Sequence, residues 1–229
     1  MTTLYNVARY HLVDRITYVA LPWGIMTLSF LVNLVIAAQV APDVNSHYTG
    51  GLLSIYVFLL ICGAISMTRS LPFALMLGVS RRSYYLGTAL LIVALGAVYG
   101  FALAVLQVIE RASDGWGVDM HFFRIPGILD GPWYLTWLTS FVLLVLFFLY
   151  GMWYGLVYRR WSLPGLVAFI AAQILVVLAV VVAISMTDSW PAFADFFSSG
   201  TASVLTAVLA VISLAMGVGG FATLRKVTI

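Results

Sequence analysis

The sequence has very little charge. Only 8% of its 229 residues are Asp, Glu, Lys or Arg, whereas 63% are hydrophobic, and the mean hydropathy is +1.09. Soluble domains average about 25% charged and about 45–50% apolar residues. Such a composition excludes an ordinary water-soluble domain and predicts an integral membrane protein. The net charge of +3 is also too small to indicate a nucleic acid partner.

Cysteine, histidine and lysine are nearly absent. The single cysteine, Cys62, lies in an apolar run, so it excludes an intrachain disulfide and is expected to pack as a small hydrophobic side chain. Three scattered histidines leave little for metal or haem chemistry, and no predicted span contains the histidine that a membrane protease needs. The only lysine, Lys226, follows Arg225 where a P-loop requires Gly. We therefore expect no enzyme activity and no cofactor in this chain, and any ATP-driven work belongs to a separate subunit.

Six apolar runs follow one another without a long hydrophilic interruption, each near the roughly 20 residues that a spanning helix needs. We predict one membrane domain over 1–229, with spans at about 19–40, 50–68, 84–109, 133–157, 164–186 and 201–223. Apolar residues at helical spacing before the first run predict an amphipathic interfacial helix over 1–17.

Basic residues are distributed asymmetrically over the loops. Nine lie at the N-terminus, in the second and fourth loops and at the C-terminus, whereas two lie in loops of the opposite parity. Because cytoplasmic loops carry the excess of Arg and Lys, this distribution predicts that both termini are cytoplasmic. The longest outer loop, 110–132, interleaves aromatic and charged residues and predicts a cap at the membrane surface. The loop 187–200 predicts either a short re-entrant helix or an aromatic belt.

The segment RSLPFALMLGVSRRSYYLG, residues 69–87, joins the second and third spans. Ser70 and Ser80 are predicted helix N-caps, Pro72 suits a first helical turn, and Gly78 predicts a left-handed stop. The resulting helix, 71–77, is apolar nearly all round at a membrane boundary, so it needs a surface to bury against. A well-anchored cytoplasmic loop is the simpler interpretation.

Two arginines open the next helix of this segment. The macrodipole disfavours cations in a first helical turn, so Arg81 and Arg82 indicate another role, such as membrane orientation, anionic lipid or a protein partner.

Polar side chains are rare at membrane depth, and the central parts of the spans contain no acid and no histidine, which disfavours proton coupling. Asn33, Gln39, Gln107 and Gln173 either line a substrate path or hydrogen-bond between helices. Small-residue repeats at Gly96/Gly100 and Gly151/Gly155, and the glycines at 217, 219 and 220, permit a close helix–helix or dimer contact.

The topology and the stretch LPFALMLGVSRRSYYLGT, residues 71–88, resemble the type-2 permease family of ATP-binding-cassette (ABC) exporters. The resemblance implies that this segment, with Pro72 in its first turn, is a coupling helix docking on a cytosolic ATPase. Phe73, Leu75 and Met76 would supply the docking surface, Gly78 the turn, and Arg81 and Arg82 a contact with the ATPase or lipid head groups. Residues 1–17 resemble the family's elbow helix, and 190–198 its outer re-entrant helix.

The same resemblance implies a multi-pass protein of the cell membrane that works by alternating access. Its partners would be two copies of the ATPase, which bind ATP and Mg, and a second permease half, identical or a sister chain. The cargo path would run between the halves along the second and fifth spans, with Asn33, Gln107 and Gln173 as candidate residues. Two alternatives stay open: a substrate-capturing membrane subunit of a vitamin importer, and a non-transporting membrane anchor or assembly factor.

Overall fold

The computed structural model describes residues 14–40, 47–191 and 202–225. A π-helical turn, Ile16–Ala20, leads into the first helix, and another, Ser66–Ser70, joins the second helix to the third. The helices are α1 (Leu21–Val40), α2 (Leu53–Ile65), α3 (Leu71–Met76), α4 (Arg81–Ala112), α5 (Trp133–Met186) and α6 (Ala202–Arg225). The short strands β1 (His47–Tyr48) and β2 (Met120–His121) pair in parallel.

Five helical stretches in the described parts of the chain are long and apolar enough to cross a membrane. They are Ile16–Gln39, Leu53–Met76, Arg81–Ala112, Trp133–Met186 and Ala202–Leu224. The prediction of an all-α membrane protein is confirmed at this level. The predicted elbow helix falls largely on residues 1–13 and the predicted re-entrant helix largely on 192–198, both outside the described residues.

The fourth of these stretches, α5, has 54 residues, which corresponds to about 80 Å of helix against the roughly 30 Å of a hydrocarbon core. It is interrupted at Ser162, which has φ 56° and ψ −157°. Tyr154 contacts Phe169, and the Tyr150 hydroxyl donates to Gln173 Oε1 at 2.6 Å. Because both pairs are spaced almost evenly about Ser162, the two arms, 133–161 and 163–186, fold back on each other as an antiparallel pair.

The first arm of α5 is the centre of the bundle, since α2, α4 and α6 all pack against it. Glycines permit the approach. A Cβ on Gly151 would strike the carbonyl of Leu60, one on Gly155 would lie 2.7 Å from the carbonyl oxygen of Ala64, and one on Gly100 would lie 3.0 Å from a backbone nitrogen of this arm. The small-residue repeats therefore make helix–helix contacts within this chain.

The helix boundaries near the second loop differ in one respect from the prediction. Ser80 is an N-cap, because its Oγ accepts the Ser83 N–H at 3.1 Å, and α4 begins at Arg81. Ser70 makes no side-chain cap, and that prediction was wrong. The chain stays helical from α2 through Ser66–Ser70 into α3, so the backbone N–H groups there have helical partners and need no cap.

Gly151→Ala tests the close packing of α2 on α5. We expect a loss of about 2 kcal/mol of stability, because the added methyl meets a backbone carbonyl that cannot move without the whole helix. Thermal unfolding in detergent measures this loss. The matched control is Gly24→Ala, whose Cβ would meet nothing within 4 Å. Equal melting temperatures for the two variants would contradict the packing described here.

Candidate functional site

The short helix α3 turns an apolar ridge away from the bundle. Leu71 and Ala74 are buried, whereas Phe73, Met76 and Leu77 are 45%, 78% and 67% exposed. Leu75 is partly buried against the core. The helix is thus anchored along one side and presents a methionine, a leucine and a phenylalanine on the other.

Gly78 ends this helix as predicted. Its φ of +80° lies in the left-handed region, where an L side chain is strained, although a Cβ there would meet nothing within 4 Å. The N–H of Gly78 donates to the Leu75 carbonyl and the N–H of Val79 to the Ala74 carbonyl, both at 3.0 Å. These bonds occupy carbonyls at the C-terminus of α3, so the turn into Ser80 and α4 has a defined shape.

Tyr84 ties this turn to the spans on both sides. The side chain is fully buried, and its hydroxyl donates to the Ser66 carbonyl at 2.8 Å. Since Ser66 opens the π turn between α2 and α3, and Tyr84 belongs to the first turn of α4, the bond links the junction of α2 and α3 to α4.

The end of the bundle that carries α3 is basic. Arg81 is partly buried and Arg82 exposed in the first turn of α4, which contains no acidic residue, and Arg69 is exposed in the preceding π turn. Within the described ranges no ion pair involves Arg82, so its positive charge is not neutralised by a carboxylate there.

The predicted path residues lie at separate places and have different partners. Asn33 donates to the Ser29 carbonyl in its own helix at 2.8 Å. Gln107 is buried and donates through Nε2 to the Leu129 carbonyl, while its Oε1 has no hydrogen-bond partner among the described residues. Gln173 accepts hydrogen bonds from two tyrosine hydroxyls, those of Tyr150 at 2.6 Å and Tyr154 at 2.7 Å.

Gln173 lies on a groove of about 370 Å³ between the two arms of α5. The groove is lined by Tyr150, Phe169, Ala172, Gln173, Val176 and Val177. It places one amide and its tyrosine partner among apolar side chains. Gln173 is thus a predicted path residue that lies on an open groove.

A buried carboxylate organises the opposite end of the bundle. Glu110, taken from the sequence as an outer-loop acid, belongs to the last turns of α4 and is 1% exposed. Its Oε2 accepts the N–H groups of Phe122 and Phe123, both at 2.9 Å, and the Trp116 indole at 3.2 Å. Its Oε1 accepts the Arg124 N–H at 3.2 Å. Four donors therefore solvate this carboxylate in place of water.

The loop that follows α4 folds over this carboxylate as an ordered cap. Asp130 accepts hydrogen bonds from Arg124 Nε at 2.9 Å and from Arg111 at 3.3 Å. The hydrogen bond to Asp130 raises the pKa of the Arg124 guanidinium, so this side chain stays charged. His121 Nδ1 lies 4.0 Å from Glu110 Oε1. The loop that was predicted to be a cap is therefore a folded unit, and its position at a membrane surface stays a prediction.

Aromatic contacts and a strand pair join the cap to the first two spans. Phe30 of α1 packs edge-on against Trp116 and Phe122, with centroids 4.9 and 5.3 Å apart. The pairing of β1 with β2 fixes the chain ahead of α2, and Thr49 N–H donates to the His121 carbonyl at 3.1 Å. The cap therefore connects α1, α2 and α4 at one end of the bundle.

Comparison with known proteins adds no relative, because no family model, no curated protein and no solved structure matches this chain.

Glu110→Gln tests the buried carboxylate. In the variant an amide NH₂ replaces one carboxylate oxygen and faces backbone N–H groups, which are donors too. We therefore expect the free energy of unfolding to fall by about 2 kcal/mol and the melting temperature to fall by about 6 °C. Thermal unfolding and limited proteolysis of the loop 113–132 measure the effect. The control is Asp114→Asn, at an exposed position. If this control loses as much stability as Glu110→Gln, the burial of Glu110 is not the cause of the loss.

Proposed function

We propose that this chain is the transmembrane permease subunit of an ABC exporter, which forms the translocation path and couples to a separate ATPase subunit. The observation that carries the proposal is the exposed apolar ridge of α3, formed by Phe73, Met76 and Leu77 at the basic end of the bundle. A short helix of this kind, held rigidly between two spans, has the properties that a docking helix requires.

The length of the second spanning stretch supports a protein partner for this ridge. Leu53–Met76 has 24 residues and so measures about 36 Å, more than the roughly 30 Å of hydrocarbon. If its other end lies at the membrane surface, its last turn stands beyond the acyl chains. An apolar ridge in that position marks an interaction surface. Insertion into a groove of an ATPase would bury it.

The attachment of α3 supports the coupling role. Leu71 is fully buried, and the Tyr84–Ser66 hydrogen bond links the junction of α2 and α3 to α4. An ATPase that pushes α3 sideways would therefore move both spans together. In this mechanism ATP and Mg bind on two cytosolic ATPase subunits, and their closure shifts the permease halves to release cargo outward.

The proposed topology has six spans, with both termini and α3 on the cytoplasmic side and an elbow helix at the N-terminus. The break at Ser162 divides α5 into two arms, each near the length of one span. Arg159 and Arg160 precede this break, so the turn between the arms carries the same positive charge as the α3 end. The even number of spans also fits two basic termini on one side.

The second arm of α5 supports a further permease half, either an identical copy or a sister chain. Most of its side chains are exposed, among them Leu175 at 65% and Val176 at 63%. Only part of this surface packs on the first arm. The cargo path would then run between two halves in the cell membrane. Gln173 would lie nearer its cytoplasmic end, whereas Asn33 and Gln107 would lie nearer the outer cap.

Met76→Asp tests the docking surface. We expect a co-expressed ABC ATPase from the same genome to co-purify with the wild-type chain in mild detergent and to be lost from the variant, because a carboxylate on the ridge opposes burial. The control is Met186→Asp, a position 82% exposed outside α3, which should retain the ATPase. Equal retention by both variants would exclude α3 as the docking helix. No ATPase with the wild type would favour the anchor or assembly factor.

Cysteine labelling tests the six-span topology. On a Cys62→Ser background, Trp161→Cys and Asp114→Cys place single thiols on the loop between the arms of α5 and on the cap. We expect a membrane-impermeant maleimide added to intact cells to label position 114 and to label position 161 only after lysis. Labelling of both positions in intact cells would contradict the proposed orientation.

A further inference from the structure

A lipid-accessible groove separates α4, the first arm of α5 and α6. Its volume is about 380 Å³, and the side chains that shape it include Leu86, Ala89, Val93, Val145, Gly217 and Phe221. Two of the residues that line it are small, Ala89 on α4 and Gly217 on α6. A groove of this kind accepts a hydrocarbon chain by its shape.

The polar groups that line the groove are already hydrogen-bonded. The Tyr85 hydroxyl donates to the Gly217 carbonyl at 2.8 Å, and the Ser213 hydroxyl donates to the Leu209 carbonyl at 2.8 Å. No polar side chain among those that line it is therefore left to recognise a polar ligand. The occupant that fits this lining is an alkyl chain.

One end of the groove is basic. Arg82 stands four, seven and eleven residues before Leu86, Ala89 and Val93, so all four lie on one face of α4. The helix face that lines the slot thus begins with an exposed positive charge, which complements an anionic head group and not a neutral one.

The length of this face corresponds to one leaflet. From Arg82 to Val93 the helix rises about 17 Å, close to half of the roughly 30 Å hydrocarbon core. An arginine at the head-group level with an apolar slot of that depth beneath it has the dimensions of one phospholipid monolayer. A phospholipid from the leaflet at the α3 end therefore matches both parts of the site.

We propose that this groove binds one acyl chain of an anionic phospholipid, with its phosphate against the Arg82 guanidinium. The site is distinct from the cargo path and depends only on membrane insertion of the chain, not on its coupling to an ATPase. The lipid completes the packing between α4 and α6 along this groove.

Native mass spectrometry of the delipidated chain alone, without any ATPase, tests the proposal. The chain is titrated with phosphatidylglycerol or with phosphatidylcholine of identical acyl chains. We expect wild type to bind one phosphatidylglycerol about fivefold more tightly than phosphatidylcholine, as one arginine at a membrane surface provides. Arg82→Gln should remove this preference, whereas Arg69→Gln at the same end should keep it.

A second pair of variants tests the slot itself. Ala89→Phe fills the groove and should abolish the one-lipid complex with either head group. Val98→Phe adds the same ring at a 65% exposed position on another face of α4 and should leave binding unchanged. Equal binding of both lipids by wild type, or retained binding by Ala89→Phe, would overturn the proposal. A change of oligomeric mass instead of lipid binding in Ala89→Phe would show that a second copy occupies the groove.

Discussion

Close backbone contact at glycine is the constraint on which this bundle depends. Lipid chains are as apolar as leucine, so helices in a membrane gain little from hydrophobic burial and associate by van der Waals contact and hydrogen bonds. Gly63, Gly151 and Gly155 bring α2 and the first arm of α5 together backbone to backbone, and Gly100 does the same for α4. The positions of α3 and of the cap follow from these contacts, because both are carried by α2 and α4.

The two ends of the bundle are built differently. At one end Glu110 accepts hydrogen bonds from the backbone of the loop after α4, and Phe30 of α1 packs against that loop. At the other end α3 leaves Met76 and Leu77 uncovered. Under the proposed function, the open apolar end is the one that would contact a moving partner.

Local features of the short helix were predictable from the sequence, whereas the buried polar contacts were not. Gly78 and Ser80 act through their own backbone and a neighbour three residues away, so their roles can be read from a few letters. Apolar runs likewise predicted where the long apolar helices lie, but the two predicted spans 133–157 and 164–186 fall in one helical stretch, and the second stretch continues to Met76 where 68 was predicted. Glu110 was interpreted as a loop acid because its donors lie up to fourteen residues further along, on a loop whose path only the folded chain defines.

Other misinterpretations have the same physical origin. Ser70 has the chemistry of a cap, but the chain is already helical through Ser66–Ser70, so the backbone there needs no side-chain cap. Gln107 donates to a carbonyl of the folded cap, so the position of Gln107 along its predicted span did not reveal this hydrogen bond. The docking of α3 on an ATPase, in contrast, depends on a second molecule and stays a prediction.

A site-specific cross-link tests that central proposal most directly. With Met76→Cys on a Cys62→Ser background, a photoactivatable thiol probe attached at position 76 is illuminated in membranes that also contain the ABC ATPase that co-purifies with the wild-type chain. The proposal predicts a covalent adduct with that ATPase from position 76 and none from the same probe at position 186. Adducts from both positions or from neither, with the two proteins shown to be present together, would contradict it.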